Sequence, residues 1–146
     1  MPGGGAAHLH ASTVVLAERA LIIAGPSGAG KSSLALEMMA LGAGLIADDV
    51  TELFEDGGAL WARAPATLPA AIEARGLGLL RATLAPPAPV AALIDLSRCT
   101  AERMPQVVEI SLLGHAKPLL QKPESGPVSA SLVQYLKHVT LRDPDV

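Results

Sequence analysis

Apolar residues come in short bursts along most of this chain, and the spacing of the bursts predicts mainly strands. Thr13-Val14-Val15-Leu16 and Ala20-Leu21-Ile22-Ile23-Ala24 are strand-length runs separated by the polar turn Ala17-Glu18-Arg19. From Lys31 to about Leu41 the apolar positions take a helical period, and Gly42 and Gly44 supply the stop. Leu45-Ile46-Ala47 predicts a short strand that ends at Asp48-Asp49. Val50–Phe54 and Ala59–Ala62 flank Glu55-Asp56-Gly57-Gly58, a hairpin signature in which Asp-Gly marks the tight turn. Pro65 and Pro69 mark an irregular connection, and 71–80 is a polar turn running into an apolar segment. After the loop containing Pro86, Pro87 and Pro89, Val90–Leu96 predicts a buried strand. Val107–Ile110 and Lys117–Leu120 predict weaker strands. Val128–Val139 has the period of a C-terminal helix, and the residues from Leu141 to Val146 are expected to fray.

Strands and helices do not alternate regularly. The expected fold is therefore α/β with a strand-rich mixed sheet around a central helix. Neither an internal repeat nor a linker divides the 146 residues, so a single domain over 1–146 is expected, with residues 1–7 as a flexible leader. Half the residues are hydrophobic but only 2% are aromatic, so the core must be built from Leu, Ile, Val and Ala. A net charge of −3 gives no reason to expect nucleic acid as a partner. The one cysteine, Cys99, rules out an intramolecular disulfide and suits a reducing cytoplasm. No apolar run approaches the length of a membrane span, and the N-terminus lacks the basic start and long apolar stretch of a signal peptide.

The strand at Ala20–Ala24 runs directly into Gly25-Pro26-Ser27-Gly28-Ala29-Gly30-Lys31-Ser32. This is a complete phosphate-binding loop, G-x-x-x-x-G-K-[ST], placed between a strand and a helix. Such a loop wraps successive backbone N–H groups around phosphate oxygens, and the helix N-terminus adds partial positive charge. Lys31 would reach the β- and γ-phosphates, and the Ser32 hydroxyl would hold Mg²⁺. Ser33, the next residue, completes the expected phosphate-binding set. A glycine-rich turn with no ligand would not explain why Lys and Ser both stand at the required positions.

The acidic pair is the second candidate. Asp48 or Asp49 could help hold Mg²⁺ while the other accepts a proton from an attacking hydroxyl; the plainer reading is a turn after Ala47. Glu73-Ala74-Arg75-Gly76-Leu77-Gly78 has two readings as well. One is a surface ion pair of little energetic weight. The other is a further metal-facing carboxylate with an arginine that stabilises a transferring phosphate. His10, upstream of the first strand, is either structural or solvated, or near a phosphate a hydrogen-bond donor or a carrier of charge. His115 and His138 have no metal-ligand spacing with other residues.

Taken in order, His10, the loop Gly25–Ser32, Leu45-Ile46-Ala47-Asp48-Asp49 and Glu73-Ala74-Arg75-Gly76-Leu77-Gly78 resemble the C-terminal catalytic domain of HPr kinase/phosphorylase. The last block is the family's own signature, and the likeness covers the first two-thirds of the chain well. The resemblance implies a P-loop-containing, HPr kinase C-terminal-domain-like fold and a short form of the kind found in alphaproteobacteria. It implies a cytoplasmic, ATP- and Mg²⁺-dependent kinase that phosphorylates a serine of HPr, a phosphocarrier of the sugar phosphotransferase system. The reverse step, phosphorolysis to pyrophosphate, and a hexamer are implied with it. Carried over by position, Lys31 and the loop bind phosphate, Ser32 and Glu73 contact the metal with Asp48 beside them, and Asp49 is the base. His10 matches an active-site histidine, Arg75 faces the phosphate, and Arg103 in Glu102-Arg103-Met104 is the downstream arginine, with Arg98 as the alternative. Where the family carries an arginine-containing loop, this chain has Gln121–Pro127 with Lys122 as its only base. The same residues are also compatible with a kinase for another protein or a small hydroxyl compound, or with a nucleotide-binding regulatory module.

Overall fold

The structure is a computed structural model and describes residues 6–138. Its strands in chain order are β1 (Ala7–Leu9), β2 (Ala11–Leu16), β3 (Arg19–Ala24), β4 (Gly44–Ala47), β5 (Thr51–Asp56), β6 (Ala59–Arg63), β7 (Ala71–Ala74), β8 (Gly78–Arg81), β9 (Ala88–Thr100), β10 (Val108–Leu112) and β11 (His115–Pro123). Helix α1 spans Lys31–Ala40 and α2 spans Val128–Lys137. The main sheet runs β1-β5-β6-β9-β3-β2-β4, with β11 added beside β9 and β10 beside β11. Among the described residues, the β3–β9 and β9–β11 strand pairs are parallel and the other strand pairs antiparallel. This is the strand-rich mixed α/β fold the sequence predicts.

Strand β9 holds the sheet together. Its first residues pair with β6, its middle with β3, and Leu93–Asp95 and Cys99–Thr100 pair with β11. Because side chains alternate across a strand, β3 feeds two cores. Leu21 and Ile23 join Leu34, Ala35 and Met38 of α1 and Leu132, Val133 and Leu136 of α2 on one face. Ile22 faces the other way, against Leu53, Leu60 and Leu93. The β1-β5-β6 end of the sheet thus curls over the face opposite the helices. Each fully buried side chain of this size contributes about 1.5–3 kcal/mol, which makes an aliphatic core sufficient without aromatics.

Helix α1 buries Leu34, Ala35 and Met38, the one-face spacing of an amphipathic helix. It ends in a Schellman turn: the Ala43 N–H donates to Met38 O and the Gly42 N–H to Met39 O, both at 3.0 Å, with Gly42 at φ +111°. Helix α2 is tied down at its C-terminal end by Arg19, which donates to the carbonyls of Tyr135 at 2.9 Å and Leu136 at 3.1 Å. Ser129 also donates to the Glu37 carboxylate of α1.

Several boundaries differ from the sequence reading. Ala7 is not leader but the first residue of β1, which pairs with β5 because Thr51–Leu53 offers it an open edge. Segment 71–80 is a hairpin of its own, with Glu73 opposite Leu79 and Ala74 opposite Gly78. Val108–Leu112 and His115–Pro123 form a second hairpin, longer than the weak apolar runs suggest, because pairing to β9 supplies what the local pattern lacks. Helix α2 stops at Lys137; Val139, the frayed end expected at 141–146 and residues 1–5 of the expected leader lie outside the described residues. Phe54 and Trp61 stack across the β5–β6 hairpin at 6.4 Å.

On the curled end, Glu52 takes a 2.7 Å hydrogen bond from Arg63 Nε and one of 3.0 Å from His8 Nε2. The Arg63 bond is the main reason the Glu52 carboxyl sits below its ordinary 4.5. A depressed carboxyl stabilises the fold above the unfolded pKa and loses that contribution as pH falls through the folded one. The melting temperature of Glu52→Gln should therefore lie below wild type at neutral pH, and the gap should close as pH drops below 4.5. A gap that stays constant with pH would mean the carboxylate charge contributes nothing.

Candidate active site

The phosphate loop connects β3 to α1. Gly28 and Gly30 lie at φ +84° and +99°, where a side chain would be strained. Gly25 is held by space as well: a Cβ there would come within 3.2 Å of the Ala29 Cβ and 3.3 Å of the Leu96 Cβ. The Ala29 N–H donates to Pro26 O at 3.0 Å, which folds Pro26 and Ala29 into the inner turn of the loop. A cleft of about 130 Å³ opens above, lined by Ser27, Gly28 and Gly30, by Lys31, Ser32 and Ser33, and by Glu73 and Arg75 from the β7–β8 hairpin. Lys31 is buried, and its Nζ donates to Gly25 O at 2.9 Å and Pro26 O at 3.2 Å. Its charge is thereby parked on the loop's own carbonyls.

Asp48 and Asp49 diverge. Asp48 turns inward at the end of β4. Its Oδ1 accepts 2.7 Å hydrogen bonds from both Ser12 Oγ and Ser32 Oγ, and its Oδ2 accepts the Glu73 backbone N–H at 3.0 Å. Asp49 turns outward because its backbone is left-handed, at φ +71°, a conformation aspartate tolerates better than most residues. Its Oδ1 lies 3.6 Å from His10 Nδ1, and both side chains are largely exposed. The Asp49 N–H donates to Ser12 Oγ at 3.3 Å, so one serine orients both acids.

Among the described residues, no group of three or more His, Cys, Asp and Glu side chains gathers to hold a metal ion. Mg²⁺ on a phosphate loop needs no such group, since it takes one or two protein oxygens and fills its octahedron with phosphate and water. The Ser32 hydroxyl and the Asp48 carboxylate, 2.7 Å apart at the base of the loop, fit that requirement, and Glu73 stands at the rim.

A second cavity, about 370 Å³, lies on the other side of Gly25 and is bounded by His10, Asp95 and Arg98 over an apolar floor that includes Leu9, Ile110 and Leu119. Asp95 accepts from the Ser97 hydroxyl and the Ser97 N–H at 2.7 and 2.9 Å. These bonds, with the nearby Arg98, hold its carboxyl below the usual carboxylate range. The structure brings Lys31, Ser32, Asp48, Glu73 and Arg75 around one cleft and His10 beside Asp49. It does not bring Arg103 to them. Arg103 lines a separate, largely apolar cavity with Pro105, Val107 and Tyr135, because β9 runs on to Thr100 and carries the next loop away. Of the two arginines, Arg98 is the one that lines a cavity with His10.

Sequence reasoning does not single out Ser12. A signal is there, since Ser12 and Thr13 interrupt an otherwise apolar strand at successive positions, and both are fully buried. Thr13 and Thr51 share a 2.8 Å hydrogen bond, and Thr51 donates to Ala11 O at 2.9 Å, which joins β2 to β5 behind the acids.

Residues 5–84, more than half of the chain, match the family model of the HPr Serine kinase C-terminal domain. The chain belongs to this family. The match takes in His10, the loop, both aspartates, Glu73 and Arg75. The HPr kinase/phosphorylase of Aromatoleum aromaticum is 51% identical over 61 residues, 41% of this chain and 20% of that protein. The HPr kinase/phosphorylase of Chromobacterium violaceum is 42% identical over 73 residues, 49% of this chain and 23% of that protein. The chain thus spans about a fifth of the length of these curated relatives. The Hpr(Ser) kinase/phosphatase of Coxiella burnetii has the same fold, with a TM-score of 0.73 over 90% of this chain and 88% of that one, at 22% identity. This HPr kinase C-terminal domain therefore keeps the family fold past residue 84, where the sequence likeness ends.

If Asp48 is the clasp between loop and hairpin, Asp48→Asn should loosen the hairpin selectively. An amide cannot accept from both serines and from the Glu73 N–H unless its NH₂ group faces a donor. The expected outcome is faster hydrogen exchange at the Glu73 amide and a loss of about 1–3 kcal/mol in unfolding free energy. Unchanged exchange at Glu73 would show that the hairpin is held by its apolar face alone.

Proposed function

We propose that this chain is an ATP- and Mg²⁺-dependent protein serine kinase whose acceptor is an HPr-type phosphocarrier protein in the cytoplasm. The observation that carries the reading is the divergence of the two aspartates. One is locked to the loop serine where a metal would sit, and the other is exposed beside His10, within reach of a docking protein. The names of the relatives, HPr kinase/phosphorylase and Hpr(Ser) kinase/phosphatase, support the choice of acceptor.

In this proposal the loop amides and Lys31 bind the β- and γ-phosphates, with Lys31 leaving the carbonyls of Gly25 and Pro26 for the ligand. Ser32 and Asp48 would hold Mg²⁺, directly or through water, and Glu73 would contact it from the hairpin. The metal, when bound, neutralises charge that builds on the phosphates. Asp49 accepts the proton of the acceptor serine as its oxygen forms a bond to the γ-phosphorus and the bond to the bridging β–γ oxygen breaks, releasing ADP. Arg75, on the cleft wall, stabilises the transferring phosphoryl oxygens. His10 orients Asp49. Arg98 takes the role of the downstream arginine in place of Arg103, acting on the acceptor side of the loop.

Purified protein with Mg²⁺-ATP and HPr from the same cell should give HPr one phosphate heavier on serine by intact mass. Asp49→Asn should retain ATP binding and lower transfer by about 10²–10⁴-fold. Near wild-type transfer by this variant would remove Asp49 from the role of base. No product from the wild type, with ATP bound, would point to another acceptor.

The two arginines are separable. Arg98→Ala should lower kcat/KM for HPr about tenfold, the cost of one charge-assisted hydrogen bond, while Arg103→Ala leaves it within about twofold. The opposite ranking would return the role to Arg103.

A further inference from the structure

We propose that Leu79, on the outer face of β8, and Leu77, in the turn that precedes it, form the platform on which the base of the bound nucleotide rests. The inference builds on the nucleotide-binding reading above and names a part of the site that the phosphate loop does not supply.

The cleft over the loop holds about 130 Å³. That suits phosphates, whereas sites that enclose a ligand the size of a nucleotide run to about 300–1,000 Å³. The nucleoside must therefore lie outside the cleft, on whatever surface continues its wall.

Glu73 and Arg75 are the hairpin's contribution to the cleft. In the antiparallel register Glu73 stands opposite Leu79, and directly opposed side chains share one face of a sheet. The hairpin's other face is already used: Ile72 and Ala74 are buried, and Ile72 belongs to the core under α1. Leu79 is left 68% exposed and Leu77, in the turn, 78% exposed. No residue of β8 is buried. Leu79 is thus continuous with the wall that carries Glu73, and Leu77 stands in the turn two residues after Arg75, so two large aliphatic side chains face water at the edge of the cleft.

The hairpin is also held in place. The turn is closed by the Leu77 N–H donating to Ala74 O at 2.9 Å, with Gly76 and Gly78 at φ +87° and +112°. The Glu73 N–H is fixed to Asp48. The platform is therefore set relative to the loop before ligand arrives, which reduces the ordering cost of binding. The chain's aromatic side chains are engaged elsewhere: Phe54 with Trp61 on the β5–β6 hairpin, and Tyr135 beneath Arg19. An aliphatic surface is what the site offers a purine.

The test compares ATP with inorganic tripolyphosphate, which carries the same phosphate chain without a nucleoside. Dissociation constants of both, with Mg²⁺, are measured by calorimetry for the full chain and for the Leu77→Ser/Leu79→Ser double variant, with sedimentation to record the oligomeric state. Both positions are exposed, so the fold should survive, and Leu77→Met/Leu79→Met serves as the apolar control. The expected result is ATP binding weakened about tenfold in the serine variant, retained in the methionine variant, and tripolyphosphate binding unchanged. Equal weakening of both ligands would overturn the proposal, since the leucines would then be acting on the phosphate cleft or the fold. Unchanged ATP affinity would also overturn it; if sedimentation then showed a smaller assembly, the leucines would be covered by a second copy of the chain. Failure of the wild type to bind either ligand would overturn the nucleotide reading itself, whereas tripolyphosphate binding as tight as that of ATP would overturn the platform alone.

Discussion

The site depends on one carboxylate. Asp48 accepts from Ser12 on β2, from Ser32 at the first turn of α1 and from the backbone of Glu73 on β7. Each of these elements brings a different part of the chemistry, and the carboxylate is the polar group at which they meet. A charged acceptor with three donors is stronger and more directional than the apolar contacts around it. The same oxygens that hold the scaffold are those a metal would meet in the proposed function. A change at Asp48 would then act on scaffold and metal site together.

Around this clasp the fold divides its labour by strand parity. Ile22 and its neighbours Leu21 and Ile23 point to opposite cores, so β3 is fixed from both faces just before it releases the phosphate loop. β9 does the same beside it, with Ile94 under the helices and Leu93 under the curled end. A loop that must hold unusual backbone angles at Gly25, Gly28 and Gly30 is thus anchored between a doubly buried strand and a helix closed by a Schellman turn. Strain is tolerated where the surroundings over-determine the conformation.

How much of this is legible in the sequence depends on range. The loop, α1 with its stop at Gly42, and β2, β3 and β5–β6 follow from local pattern and turn chemistry, and the structure has them at nearly the expected residues. The elements that are not legible owe their form to distant partners. β1 exists because β5 offers an edge, and β11 because β9 does. The length of β9 also sets where the two arginines lie: a strand expected to end near Leu96 continues to Thr100, so Arg98 on the strand lines one cavity with His10 while Arg103, in the loop beyond, lines another. Ser12 escapes notice for a related reason. Its role is set by an aspartate 36 positions away, and no local period encodes that.

The loop's lysine illustrates how a site of this kind can stay folded before a ligand arrives. A buried ammonium without a partner would carry a large desolvation cost. Lys31 avoids it by donating to Gly25 and Pro26 carbonyls of the same loop. Neutral carbonyls are weaker partners than a charged phosphate, so the exchange favours a ligand with several negative oxygens over a singly charged or neutral one. In the proposed function the loop would therefore select by charge at the lysine and by the spacing of its backbone donors, before the acids that follow β4 or the hairpin contribute. The hairpin in turn is carried to the rim by Asp48 and by Ile72 in the core. In the proposed function, the portion of a ligand that extends beyond the phosphates and out of the cleft would thus meet a surface whose place is fixed by the same clasp.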